Sequence, residues 1–154
     1  LTDDFEASQN ARELEWISSQ ITDDEERETT TTNIAAARKG QGRFKSRVSY
    51  VEKGCRVTGA IGQRYLIASH IKPWSKSNNI EKLDGHNGLL LSPHIDRLFD
   101  KGLISFSDDG DLLISKHCDQ SIIDAWAIEA RNTGSFHDEQ KSYLDYHRRN
   151  IYKG

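Results

Sequence analysis

The sequence predicts an α+β fold, and three observations carry that expectation. A strand–loop–strand–helix order occupies the middle of the chain. A second pair of short apolar runs is joined through Asp108-Asp109-Gly110, and helix-spaced apolar stripes flank both pairs. With 154 residues, the chain has room for one domain of ordinary size and an attached segment.

The elements follow in order. Leu14, Ile17 and Ile21 form a narrow helical stripe, which the acidic run Asp23–Glu28 and the tract Thr29–Thr32 interrupt; we read residues 1–33 as an acidic helix and linker. Asn33 is placed to cap a short helix through Ala35–Ala37. Phe44, Val48 and Val51, at i, i+4 and i+7, predict a helix that Gly54 ends. Tyr65–Ile71 reads as a strand, Ser75–Asn79 as a polar loop and Gly88–Leu91 as a second strand. Ser92-Pro93 reads as a cap with proline in the first turn, opening a helix to about Lys101 with Ile95, Leu98 and Phe99 buried. Leu103–Phe106 and Leu112–Ser115 form the second hairpin. Ile122, Ile123, Trp126 and Ala130 predict a further helix, and Tyr143–Tyr152 a last one.

Composition excludes several classes. No run approaches the roughly 18 apolar residues of a membrane span, and no signal-like stretch opens the chain. Cys55 and Cys118 are too few and too far apart for a disulfide scaffold or a four-cysteine zinc site, so no structural zinc is expected and a reducing, cytoplasmic setting is the default. The absence of Met, even at position 1, reads as an excised domain or a processed chain. A net charge of -3 argues at first against a polyanion partner, but it is unevenly spread. Residues 1–35 carry -8 and the remainder +5, with Arg38, Lys39, Arg43, Lys45 and Arg47 the most basic stretch. That stretch is either a solvated face or a phosphate contact.

Polar residues stand where a buried hairpin would favour apolar ones. His70 ends the first strand in Ala68-Ser69-His70-Ile71-Lys72-Pro73-Trp74. Asn87 precedes the second in Asp84-Gly85-His86-Asn87-Gly88-Leu89-Leu90-Leu91, and Asp96 lies in Ser92-Pro93-His94-Ile95-Asp96-Arg97-Leu98-Phe99-Asp100. These three ordered segments resemble the HNH endonuclease family, the ββα-metal nucleases. Within it they are similar to the branch whose first strand ends Ala-Ser-His-Ile-x-Pro-Trp. The resemblance spans about Cys55–Ser115, which would be the core of a nuclease domain over residues 34–154.

The resemblance implies a division of labour. His70 is the general base, suited to it by an ordinary pKa of about 6.5. Asn87 orients either the His70 ring or the backbone that the ring hydrogen-bonds. The family's metal-binding histidine lies nine residues past the asparagine, where this chain has Asp96, and a carboxylate there favours Mg²⁺ or Mn²⁺. Asp100, one turn on, is a second ligand, a supporting group or a plain helix-end acid. His94 lies about 200° from Asp96 on an ideal helix; it is a ligand only in an irregular first turn, and otherwise a phosphate contact or a structural residue. Serine at position 69, where several relatives place a ligand, implies weak metal binding without DNA.

Arg43, Lys45, Arg47, Lys72 and Arg97 are the candidate DNA contacts. Trp74 is read as packing under the loop rather than as a base-stacking platform. His86 is read as a loop residue, and His117, His137 and His147 carry no recognisable spacing. The implied function is metal-dependent hydrolysis of phosphodiester bonds in double-stranded DNA, entered from the minor groove. One such centre cuts one strand, so a double-strand break implies a homodimer or two nicks. The branch resembles the nuclease domain of restriction or phage-defence proteins, with a sensing domain upstream. The alternatives are a degenerate nuclease fold that binds DNA or protein without cutting, and an RNase or toxin nuclease.

Overall fold

The computed structural model describes residues 39–154. The expected helix over Leu14–Ile21, the Asn33 cap and the short helix after it lie outside the described residues. Of the two units into which the chain divides, Leu1–Arg43 and Phe44–Gly154, the second carries the elements that position the site.

Helix α1 is described over residues 39–51. Phe44 and Val48, one turn apart, are fully buried, while Tyr50 on the other side is 94% exposed. The helix stops three residues before Gly54, where Glu52 N–H makes a last bond to the Val48 carbonyl at 2.8 Å. Gly54 serves a different purpose from the expected stop. A Cβ there would stand 2.5 Å from the Ala60 carbonyl oxygen, which accepts from Cys55 N–H.

Strands β1 (Ile67–His70) and β2 (Gly88–Leu91) pair antiparallel, Ser69 opposite Leu89 and His70 opposite Gly88. The first strand is shorter than Tyr65–Ile71. Tyr65 belongs to a 3₁₀ turn, Gln63–Tyr65, and Ile71 leaves the ladder to bond the Asn87 carbonyl at 3.0 Å. The link between the strands folds into three 3₁₀ turns, Trp74–Lys76, Glu81–Leu83 and Gly85–Asn87.

Helix α2 (Pro93–Asp100) buries Ile95, Leu98 and Phe99, as their spacing requires. Ser92 occupies the cap position without making a cap bond, because its hydroxyl pairs with Thr58 Oγ1 at 2.7 Å. Successive strand residues face opposite ways. The β1–β2 hairpin accordingly has α1 on one face, through Phe44 against His70, and α2 on the other, through Asp96 against Ser69.

Strands β3 (Ile104–Phe106) and β4 (Leu112–Ile114) form the second antiparallel hairpin. Helix α3 covers only Gln120–Ala125 and does not reach Ala130. Ala127 takes φ 50°, and the Ala127 and Ile128 N–H groups turn back to the Asp124 and Ile123 carbonyls. This is a Schellman stop that places buried Ile128 against the core. Alanine in the usual glycine position hides that stop from sequence reading. Helix α4 (Asp138–Asn150) starts earlier than Tyr143, at a capping box between His137 and Gln140. The architecture is α+β, with a ββα centre formed by β1, β2 and α2.

Gly88 makes the packing of α1 on the hairpin possible. A Cβ there would overlap Val48 Cγ2 and lie 2.7 Å from Phe44 Cζ. Gly88→Ala is expected to destabilise the fold by about 1–3 kcal/mol through overpacking, read from urea denaturation. Gly42→Ala, with nothing within 4 Å of the added carbon, should be neutral or stabilise α1 by up to about 1 kcal/mol.

Candidate active site

The imidazole of His70 is held on two sides. Its ring stacks on Phe44 with centroids 3.7 Å apart and planes 4° from parallel. Its Nε2 lies 2.9 Å from the Lys82 carbonyl oxygen. A carbonyl only accepts, so Nε2 carries the proton and Nδ1 keeps the lone pair. Burial lowers the His70 pKa below its ordinary value, more than the Lys82 carbonyl raises it, with the Lys82 charge lowering it further. Burial therefore favours the neutral ring, with a proton acceptor at Nδ1.

Asn87 is fully buried, and its amide binds backbone rather than the His70 ring. Oδ1 accepts from Lys72 N–H at 2.8 Å; Nδ2 donates to the Glu81 carbonyl at 3.0 Å and more weakly to Ser77 Oγ at 3.3 Å and the Lys72 carbonyl at 3.4 Å. These bonds close the strand-to-strand link on itself. They fix Glu81, the residue before the Lys82 carbonyl that holds His70. A charge-neutral donor–acceptor side chain does this without placing an ion beside the base.

Asp96 is brought to the same strand end from the opposite face. The Ser69 hydroxyl donates to its Oδ1. Residues 69 and 70 are chain neighbours with Cα atoms about 3.8 Å apart, so the carboxylate and the imidazole are both tied to one short piece of β1. Burial raises the Asp96 pKa, the Ser69 bond lowers it, and the negative charge of Asp100 raises it again. Asp100 itself is exposed at the end of α2. His94, in the first turn, sets its ring edge-on to Trp126 with centroids 5.3 Å apart.

The candidate phosphate contacts are spread out. Arg97 is exposed on α2, and Arg43 lies in the first unit. Lys45 is half-buried on α1. Arg47 Nη1 donates to the Leu83 carbonyl at 2.9 Å, tying α1 to the strand link. The Lys72 ammonium is paired with Glu81 at 2.9 Å and stands 5.2 Å from the Tyr146 ring centroid. Trp74 is 40% exposed, with Lys82 Nζ over its ring at 4.0 Å.

Among the described residues no group of three or more His, Cys, Asp and Glu side chains is arranged to hold a metal ion. The donor chemistry at Asp96 still fits one. Two carboxylates repel there, one of them desolvated, and a hard divalent cation that keeps most of its water relieves that repulsion. No helix among the described residues is long and apolar enough to cross a membrane.

Sequence reading passed over two groups. His147 is fully buried, stacked on Phe99 with centroids 3.9 Å apart. Its Nε2–H donates to the Phe99 carbonyl at 2.9 Å and its Nδ1 accepts from Ser105 Oγ at 2.8 Å. Burial pulls its pKa down to about 4, which keeps this neutral tautomer and ties α4 to the end of α2. The second group is a relay beside Asn87. Tyr143 donates to Asp84 Oδ2 at 2.7 Å, and Asp84 Oδ1 accepts from the backbone N–H of His86 at 2.9 Å. Neither group carries a spacing that marks it in the sequence.

No curated protein matches the chain. Residues 55–107 match the family model described as HNH endonuclease. That stretch contains β1 with His70, the link closed by Asn87, β2, and α2 with Asp96. Over these residues, about a third of the chain, it is similar to the HNH endonuclease family.

Proposed function

We propose that the protein is a metal-dependent endonuclease that hydrolyses phosphodiester bonds of double-stranded DNA, with His70 as its general base. The observation that carries this reading is the bond from His70 Nε2–H to the Lys82 carbonyl, which leaves Nδ1 as the proton acceptor. On this reading Nδ1 takes a proton from the attacking water, and Phe44 and Lys82 keep the ring in place while it does so. Asn87 acts as a positioning residue by holding the link that presents the Lys82 carbonyl. Asp96, with Asp100 beside it and His94 as the further candidate, would hold Mg²⁺ or Mn²⁺. The bound cation would stabilise charge on the phosphate and on the departing 3′ oxygen. Arg97, Arg43, Lys45 and Arg47 are assigned to neighbouring phosphates, and Lys72 acts there only after giving up part of its pairing with Glu81.

The reading extends to a nuclease domain over residues 34–154 in a restriction or phage-defence protein. A sensing domain would precede it, and a homodimer would make double-strand breaks. A second reading, a DNA- or protein-binding module that no longer cuts, draws on Ser69 and on the lack of a three-residue ligand cluster among the described residues.

Cation titration of cleavage tests the ligand assignment. Asp96→Ala is expected to raise the Mg²⁺ concentration for half-maximal cleavage by about 10–100-fold, and His94→Ala to move it less. The reverse ranking transfers the ligand role to His94.

A further inference from the structure

The link between β1 and β2 carries an apolar tip that the cleavage chemistry leaves unused. Ile80 is 81% exposed, yet the chain around it is pinned from several directions. Asn78 Oδ1 accepts from the backbone N–H groups of Ile80 at 3.0 Å and Glu81 at 2.9 Å, and Glu81 Oε1 accepts from Asn78 N–H at 2.9 Å. The Glu81 carboxylate also holds the Lys72 ammonium, and its carbonyl receives the Asn87 amide. A lone exposed isoleucine is ordinary on a surface. One fixed at the tip of a braced turn, in a stretch with three lysines (Lys72, Lys76, Lys82) against one glutamate, calls for a partner that is both anionic and able to take a single apolar side chain.

We propose that Ile80 is a wedge that enters the minor groove of duplex DNA and parts neighbouring base pairs, with Lys76 and Lys82 on the flanking phosphates. Two considerations favour DNA over a protein partner. Apolar wedges between base steps need only one side chain, whereas a specific protein interface needs on the order of 1,000 Å². The local positive charge supplies the sequence-independent attraction that a wedge requires.

The wedge also bears on the reaction. Lys82 lies two residues beyond Ile80, and its carbonyl holds His70 Nε2 at 2.9 Å. Because that turn is already braced, seating of the tip brings the duplex into register with the base, which makes Ile80 a positioning residue. This inference rests on the DNA-cleaving reading of the same site and adds to it how the duplex is registered.

The test uses the full chain carrying His70→Ala and a nicked plasmid sealed by ligase in its presence. Base-pair opening by a wedge changes helical twist, so bound protein should shift the topoisomer distribution. At occupancy matched by fluorescence anisotropy, Ile80→Ala in the same background should lose most of that shift, and Ile80→Leu should restore it. With His70 intact, Ile80→Ala should slow cleavage at saturating DNA by roughly tenfold to a hundredfold, with rescue by leucine. An equal shift and equal cleavage from Ile80→Ala overturn the wedge and leave the nuclease reading standing. A wedge-dependent shift from a chain that never cuts upholds the wedge and overturns the nuclease reading. No binding to duplex DNA overturns both.

Discussion

Replacing His70 by alanine is expected to slow DNA cleavage by about 10²–10⁴-fold while leaving DNA affinity unchanged. The loss follows from geometry rather than from residue type. Nε2 is committed to the Lys82 carbonyl, so the single lone pair of the ring is the only acceptor that His70 offers. Burial sets the pH dependence. The His70 pKa lies below its ordinary value, so the base form is reached early on the pH scale. The cleavage rate should rise with pH along an acid limb centred below about 6.5 and flatten above it. In His70→Ala that limb should vanish. Single-turnover cleavage across pH 5–8 measures both effects. A limb that persists unchanged in the variant assigns the proton transfer to another group.

Asn87→Asp should be the most damaging conservative change in the site. The substituted oxygen would face the Glu81 carbonyl, 3.0 Å away from the present Nδ2, and the Lys72 carbonyl, both of which can only accept. A buried donor pair is lost and a desolvated charge is set against two carbonyl dipoles. The expected cost is about 2–5 kcal/mol at pH 7, with loss of the orientation of Lys82 and hence of cleavage. The sign of its pH dependence is fixed. Burial raises the pKa of the introduced carboxyl in the folded state above its unfolded value near 3.9. Its neutral form, able to donate again, is favoured at low pH. The stability deficit against the native chain should therefore widen as pH rises from about 4 to 7. Urea denaturation at the two pH values reads it, and a deficit that shrinks with rising pH contradicts the hydrogen-bond assignment.

The sequence singled out His70, Asn87 and Asp96 because their order and flanks resemble one family. It made the ββα centre legible for the same reason. What it concealed falls into two physical kinds. Backbone atoms have no letter of their own, so the Lys82 carbonyl, which settles the His70 tautomer, could not be read. Contacts between distant segments carry no local period, so the Phe44–His70 stack, the Ser69–Asp96 bond and the anchoring of buried His147 were also hidden. Local rules failed where tertiary contacts claimed the same atoms. The Ser92 hydroxyl serves Thr58 instead of a helix cap, and Ala127 accepts a positive φ so that Ile128 can be buried. Gly88 shows the converse. As a sequence it read only as the start of a strand, whereas in the fold its missing side chain is the space into which Phe44 and Val48 pack.

The most direct test is supercoiled plasmid incubated with the intact chain, with His70→Ala, and with each in the presence of Mg²⁺ or of a chelator. The nuclease assignment predicts nicked circles from the intact chain with Mg²⁺, none with chelator, and almost none from His70→Ala at equal DNA binding. Absence of cutting by the intact chain with Mg²⁺ and with Mn²⁺ would contradict it in favour of a binding module. Preference for RNA in the same assay would contradict its choice of substrate, and equal cutting by His70→Ala would contradict its choice of base.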